Sequence, residues 1–149
     1  MKKILLVVLV GLLMSFKMHN SSGTSIAIII NKDNPVSALT AAEVKLYWLR
    51  KIKKRWPEIN KNIKPADFKG KTGAQETFYG TVLKMTGSDV DTYFTQKQYE
   101  SAEKPQDKLT SNAAMIDFVA GEPGAIGYIE AATLSADDKT KVKVVLIVN

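Results

Sequence analysis

The chain contains no cysteine, which excludes a disulfide, a thiolate metal site and a lipid-bearing anchor cysteine. Histidine is nearly as scarce: the only one, His19, lies in or beside an N-terminal apolar segment. General acid–base catalysis most often relies on histidine, so its absence from the rest of the chain argues against an enzyme. Carboxylates remain, but Asp67, Glu76, Asp117 and Glu122 stand at no paired or metal-ligand spacing. Asp89 and Asp91 read as acids in the first turn of a helix. No cofactor and no metal is expected. Long hydrophobic runs are also missing, because the stretch Ile4 to Met14 covers eleven residues, short of the roughly 20 that a spanning helix needs.

That run is nevertheless informative. Lys2 and Lys3 precede it, and Ser15, Lys17, His19 and Asn20 break it, the layout of a secretory signal peptide. The expectation is a signal over residues 1–22, one domain over 23–149, and a periplasmic or secreted protein with no stable membrane span once the signal is removed. No small-x-small cleavage site precedes Ser21-Ser22-Gly23, so an uncleaved N-terminal anchor stays open as the alternative. Removal of residues 1–22 takes Lys2, Lys3 and Lys17 with no acid, and lowers the formal net charge from +6 to +3. The remaining charge is uneven: Lys45 to Lys71 holds ten Lys or Arg against Glu58 and Asp67. Such a patch attracts anions, although a charge run also serves as a solvated face. An exported protein meets little nucleic acid, so nucleic acid is not an expected partner.

Along the mature chain, Ser25 to Asn31 (SIAIIIN) is a β-branched run stopped by Lys32-Asp33-Asn34-Pro35, which predicts a central strand buried on both faces. Thr40 and Glu43 stand at capping-box spacing, with Leu39 and Val44 at the staple positions. A helix is expected from Ala41, with Val44, Tyr47 and Trp48 on one face, fraying near Arg50. Asn62 to Asp67 reads as a short extended stretch that Pro65 confines to an edge or a strand end. Thr72 and Gln75 repeat the capping spacing and open a second helix over about 73–86, closed by Gly87. Ser88 is expected to cap a shorter piece carrying Val90, Tyr93 and Phe94, with Thr95 to Lys108 a surface loop whose acids partly balance the basic segment. Ser111 begins a further helix that stops at Gly121-Glu122-Pro123-Gly124. Ala125 to Ile129 and Val142 to Val148 follow as strands, the second after a charged loop over Ala136 to Lys141. Strands separated by helices make an α/β layered domain. Trp48 and Trp56, which flank the basic run, read as packing residues.

Three segments carry a resemblance: IIINKDNPVSALTAAEVKLYWLRK with Trp56 beyond it, TGAQETF at Thr72 to Phe78, and PGAIGYI at Pro123 to Ile129. In this order they resemble the phosphate-binding proteins of bacterial ABC importers, type II periplasmic binding proteins, and especially their shorter single-lobe relatives. The resemblance implies one lobe with a mixed central sheet flanked by helices. It also implies an oxyanion held at a hydroxyl-glycine turn that opens a helix, here Thr72-Gly73-Ala74 with Phe78 in the family's spacing. Ala74 stands where the family has a second hydroxyl, and Phe68 where it has an arginine, with Lys69 and Lys71 beside it.

The candidate ligand residues are therefore Lys69, Lys71, Thr72, Gly73, Ala74 and Gln75. A helix start offers unpaired N–H groups and partial positive charge to an anion. The same Thr72 and Gln75 serve equally as a plain capping pair. The first expectation is a binding module for phosphate or another small oxyanion, its open site covered by an envelope protein or by self-association. The alternative is an interaction domain that keeps the lobe fold without a ligand and docks an envelope partner through Arg50 to Trp56.

Overall fold

The structure is a computed structural model that describes residues 23–51 and 54–149. The signal segment expected over residues 1–22 lies outside the described residues. Strand β1 (Ile26–Asn31) is buried at every position, as its isoleucine-rich run leads one to expect. It pairs antiparallel with β6 (Ala125–Glu130) on one side and β7 (Val142–Val148) on the other. The sheet continues from β6 to β4 (Lys64–Phe68) and then to β5 (Asp107–Leu109), both parallel, giving the order β5-β4-β6-β1-β7. The domain is thus a mixed five-stranded sheet within an α/β fold.

Pro65 sits in β4, inside this sheet, and pairs with Ile126. The Lys64 N–H donates to the Gly124 carbonyl on the β6 side, so the missing donor of Pro65 falls on the opposite side. There the β5 ladder begins only at Ala66. Proline is tolerated because no partner stands opposite it.

Helix α1 (Ala41–Trp48) starts at the predicted Thr40–Glu43 capping box, with both reciprocal hydrogen bonds present. It ends at Leu49, and Arg50 takes a left-handed φ of 50°. Trp48 and Trp56 are both fully buried, and each ring N–H has an acceptor: the Ala66 carbonyl at 3.1 Å and the Gly124 carbonyl at 2.9 Å. Trp56 belongs to a small hairpin, β2 (Arg55–Trp56) with β3 (Lys61–Asn62), that the basic composition of this segment concealed. Gly124 is needed beside this hairpin because a Cβ there would lie 1.9 Å from the Asn62 carbonyl oxygen.

Two helical expectations are corrected. The second helix is α2 (Gly73–Thr77), which runs on as a π-helical turn over Phe78–Leu83 and ends at a left-handed Lys84. Gly87 does not close it but opens α3 (Gly87–Ser101), capped by a reciprocal Thr86–Asp89 box rather than by Ser88. The polar stretch after Thr95, expected as loop, is helical to Ser101 because one buried stripe, Val90 and Phe94, suffices to seat an otherwise solvated helix. The expected charged loop before β7 likewise contains a short helix, α5 (Asp138–Lys141).

Helix α4 (Asn112–Gly121) begins at Ser111 as predicted. It packs on β1 and β6, and Asn31 ties down its last carbonyls by donating to Val119 and Ala120. Successive strand residues face opposite sides: Gly127 abuts Met115 of α4, whereas Tyr128 stacks on Phe78 at 4.1 Å. Helix α4 therefore covers one face of the sheet, and α2 with its π-helical continuation covers the other.

Candidate functional site

The chain leaves β4 at Phe68 and enters α2 through Lys69 to Thr72. Asp67, the penultimate residue of β4, is fully buried. A carboxylate cannot stand there without donors, and Asp67 has them from four elements, from Gln106 just before β5 and from the next backbone N–H. Its Oδ1 accepts from the Phe68 N–H at 2.9 Å, from Gln75 Nε2 at 3.2 Å and from the Tyr128 hydroxyl. Its Oδ2 accepts from the Tyr79 hydroxyl at 2.5 Å, from Lys108 Nζ at 2.7 Å and from Gln106 Nε2 at 3.5 Å. Lys108 stands next to Asp67 in the parallel register of β4 and β5.

The electrostatics follow from this geometry. Burial pushes the Asp67 carboxyl up, but the hydrogen bonds from Lys108, Tyr128 and Tyr79, with the Lys108 charge, outweigh it and hold the group below its ordinary value. Tyr128 and Tyr79 move the other way: burial, the charge of Asp67 and the hydrogen bond each donates to it push both hydroxyls far above the usual tyrosine range. The acid is charged and the two phenols stay neutral donors.

Above this network lies an open cleft of about 910 Å³. Lys69, Lys71, Lys108, Gln75 and Tyr79 line one wall, and α3 supplies the other through residues including Ser88, Asp91, Thr95 and Tyr99. Lys69 and Lys71 make no side-chain hydrogen bond or ion pair among the described residues. Lys108 is ion-paired with Asp67, yet its side chain keeps 39% of its exposure.

Of the six residues singled out from sequence, Lys69, Lys71 and Gln75 line this cleft. Thr72 caps α2, its Oγ1 accepting the Gln75 N–H at 3.0 Å. Gly73 lies against Thr24, whose Oγ1 would be 2.7 Å from an added Cβ, and Ala74 is buried. The Gly73 and Ala74 N–H groups have no hydrogen bond among the described residues. The Gln75 side chain does not return the cap that the spacing suggested: its amide donates instead to Asp67 Oδ1 at 3.2 Å and to the Phe68 carbonyl at 3.1 Å. Phe68, where the resembled family has arginine, is a core residue set edge-on against Tyr128 at 5.4 Å.

Sequence reasoning missed Asp67, Tyr79, Gln106, Lys108 and Tyr128 as a unit. The available signal was an acid enclosed by apolar neighbours in Pro65-Ala66-Asp67-Phe68, since a strand acid flanked this way needs buried partners. Part of the basic segment is neutralised by an acid of the Thr95 to Lys108 stretch, as expected. Glu103 accepts Lys54 at 2.7 Å and Arg50 at 3.7 Å.

No protein-family model and no curated protein matches the sequence. Solved structures do match the fold. A Clostridium perfringens protein described as a phosphate ABC transporter substrate-binding protein, solved with bound phosphate, superposes with a TM-score of 0.62 and 22% identity, over 81% of this chain and 44% of its own. An ABC-type phosphate transport receptor from Vibrio cholerae gives 0.59 and 20%, over 81% and 45%. PstS from Borrelia burgdorferi gives 0.56 and 17%, over 81% and 46%. The chain has the fold of one lobe of a phosphate-type substrate-binding protein. It spans under half the length of each of these proteins, and at these identities the likeness is one of fold. Within the lobe, the cleft opens at the carboxyl ends of the parallel strands β4 and β5, the place where open α/β sheets receive ligands.

Proposed function

We propose that the lobe is an exported binding module that takes phosphate or another small oxyanion in the cleft between the β4–α2 turn and α3. The observation that carries this reading is the pair of lysines, Lys69 and Lys71, that have no partner among the described residues and line the same cleft as Lys108. The Gly73 and Ala74 N–H groups, which have no hydrogen bond among the described residues, lie beside this cleft and not in its lining. The likeness to a protein solved with phosphate supports the ligand class. Export rests on the Lys2-Lys3 segment and its apolar run. The solved relatives are substrate-binding proteins, which favours capture over catalysis.

A cleft walled by one lobe leaves part of a small anion in water, so affinity is expected to be weak. The test is thermal unfolding of the purified protein with phosphate, sulfate or chloride at matched ionic strength. The midpoint is expected to rise with millimolar phosphate or sulfate, as mass action requires, and a Lys69→Ala, Lys71→Ala double variant is expected to lose the rise. A midpoint indifferent to both oxyanions rejects the reading.

One observation favours a second reading. Phe68, packed edge-on against Tyr128, offers the cleft only an apolar edge where the resembled family has arginine, which fits a lobe that has kept its fold and given up its ligand to dock an envelope partner or a second copy. In that case the sedimentation coefficient should report an assembly that forms without phosphate and that Lys54→Glu weakens, since Lys54 is 68% exposed on the basic face.

A further inference from the structure

The cleft has three lysines, but only one of them is anchored. Lys69 and Lys71 project from a turn with no partner among the described residues. Lys108 projects from β5 and is held at 2.7 Å by Asp67 Oδ2, a carboxylate that is itself immobilised by two tyrosine hydroxyls, a glutamine amide and a backbone N–H. A lysine ammonium has three donors. One is spent on Asp67, and the side chain, which keeps 39% of its exposure, lines the cleft, so two donors remain for a ligand there.

Resting on the oxyanion reading above, we infer that Lys108 is the principal cation of the anion site and that Asp67 is its positioning residue. The physical reason is entropic. A free surface lysine loses its rotamer freedom when a ligand fixes it, whereas Lys108 has given up much of that freedom already. A preorganised donor contributes more of its interaction energy to binding than a mobile one. Asp67 also sets the charge balance: its buried negative charge offsets one lysine, so the local excess over Asp67 and Asp91 is a single positive charge from the three lysines. That balance suits a small oxyanion bound with modest strength and marked salt sensitivity. The expectation that the start of α2 is the seat is thereby refined: the helix start stands beside the site, and the fixed charge comes from β5.

The test combines two measurements on the purified protein. Calorimetric titration with inorganic phosphate compares the wild type with Lys108→Ala, Lys69→Ala and a control, Lys64→Ala, which removes a lysine paired with half-buried Glu122 outside the cleft. The inference expects at least a tenfold loss of affinity for Lys108→Ala, a smaller loss for Lys69→Ala and none for Lys64→Ala. Side-chain ammonium NMR then reads the positioning directly: a protected Nζ signal, absent in Lys108→Ala, should be visible without ligand and shift as phosphate saturates. Wild-type binding with Lys108→Ala unchanged overturns the inference and leaves the oxyanion reading standing. Wild-type protein that gives no heat with phosphate overturns both. A protected Lys108 signal that ignores phosphate also overturns the inference.

Discussion

A fully buried carboxylate whose oxygens lacked donors would cost several kcal/mol. Asp67 avoids this by drawing donors from β5, β6, α2 and the π-helical turn. Removing a single partner is therefore the revealing perturbation. Tyr128→Phe is expected to cost about 1–3 kcal/mol in urea unfolding, the usual effect of leaving a buried acceptor short of one donor. Asp67→Ala, which strands two phenols and the Lys108 ammonium at once, is expected to cost about 3–5 kcal/mol. The pH dependence has a definite sign. The Asp67 carboxyl titrates below its unfolded value, so its contribution is present above about pH 4 and is lost as pH falls through the lower, folded value. Urea midpoints of wild type and Asp67→Asn should differ at pH 6 and converge as pH drops below about 4; a constant gap would contradict the assignment. At this scale the sequence was legible where packing decides and silent where pairing decides. Two tryptophans beside a basic run read correctly as core, because large apolar rings seek burial. Asp67 and Tyr128 are 61 positions apart, and no local pattern reports a hydrogen bond at that separation.

At the scale of elements, capping chemistry set the boundaries. The Thr40–Glu43 box was visible as S/T-x-x-E and fixes the start of α1. The Thr86–Asp89 box was overlooked because aspartate stands where glutamate is usual and because Gly87 resembles a stop signal. Its consequence is a 15-residue α3 that forms the far wall of the cleft. Thr86→Ala should cost about 1 kcal/mol and lower helicity measured by circular dichroism, since α3 buries only two residues. An unchanged spectrum and midpoint would mean that packing alone holds α3. The PGAIGYI segment was legible as turn and strand, but the reason for Gly124 was not. The constraint is the approach of the Asn62 backbone, contributed by a hairpin that the sequence did not announce. Gly124→Ala must move backbone rather than a side chain, and an expected loss of at least about 1–3 kcal/mol would appear in thermal unfolding. Wild-type stability in that variant would place the hairpin elsewhere.

For the whole molecule, the α/β class followed from apolar strands separated by capped helices, whereas the strand order did not, nor did β5, most of which was expected as loop. That order results from β4 joining β6 in parallel while β1 lies antiparallel between β6 and β7, a long-range choice that periodicity does not encode. It matters for function because it places the ends of β4 and β5 side by side and brings Asp67 next to Lys108. The cleft is open and its charges are partly solvated, so affinity for any oxyanion should fall as ionic strength rises. A titration repeated at low and high sodium chloride should show that fall; affinity independent of salt would point to an apolar mode. The most direct test of the central claim is an amide NMR titration of the protein with inorganic phosphate. The account predicts saturable shifts gathered at Lys69, Lys71, Gln75, Ser88 and Lys108. Saturable shifts gathered instead around Arg50 to Trp56, or none at any residue, would contradict it.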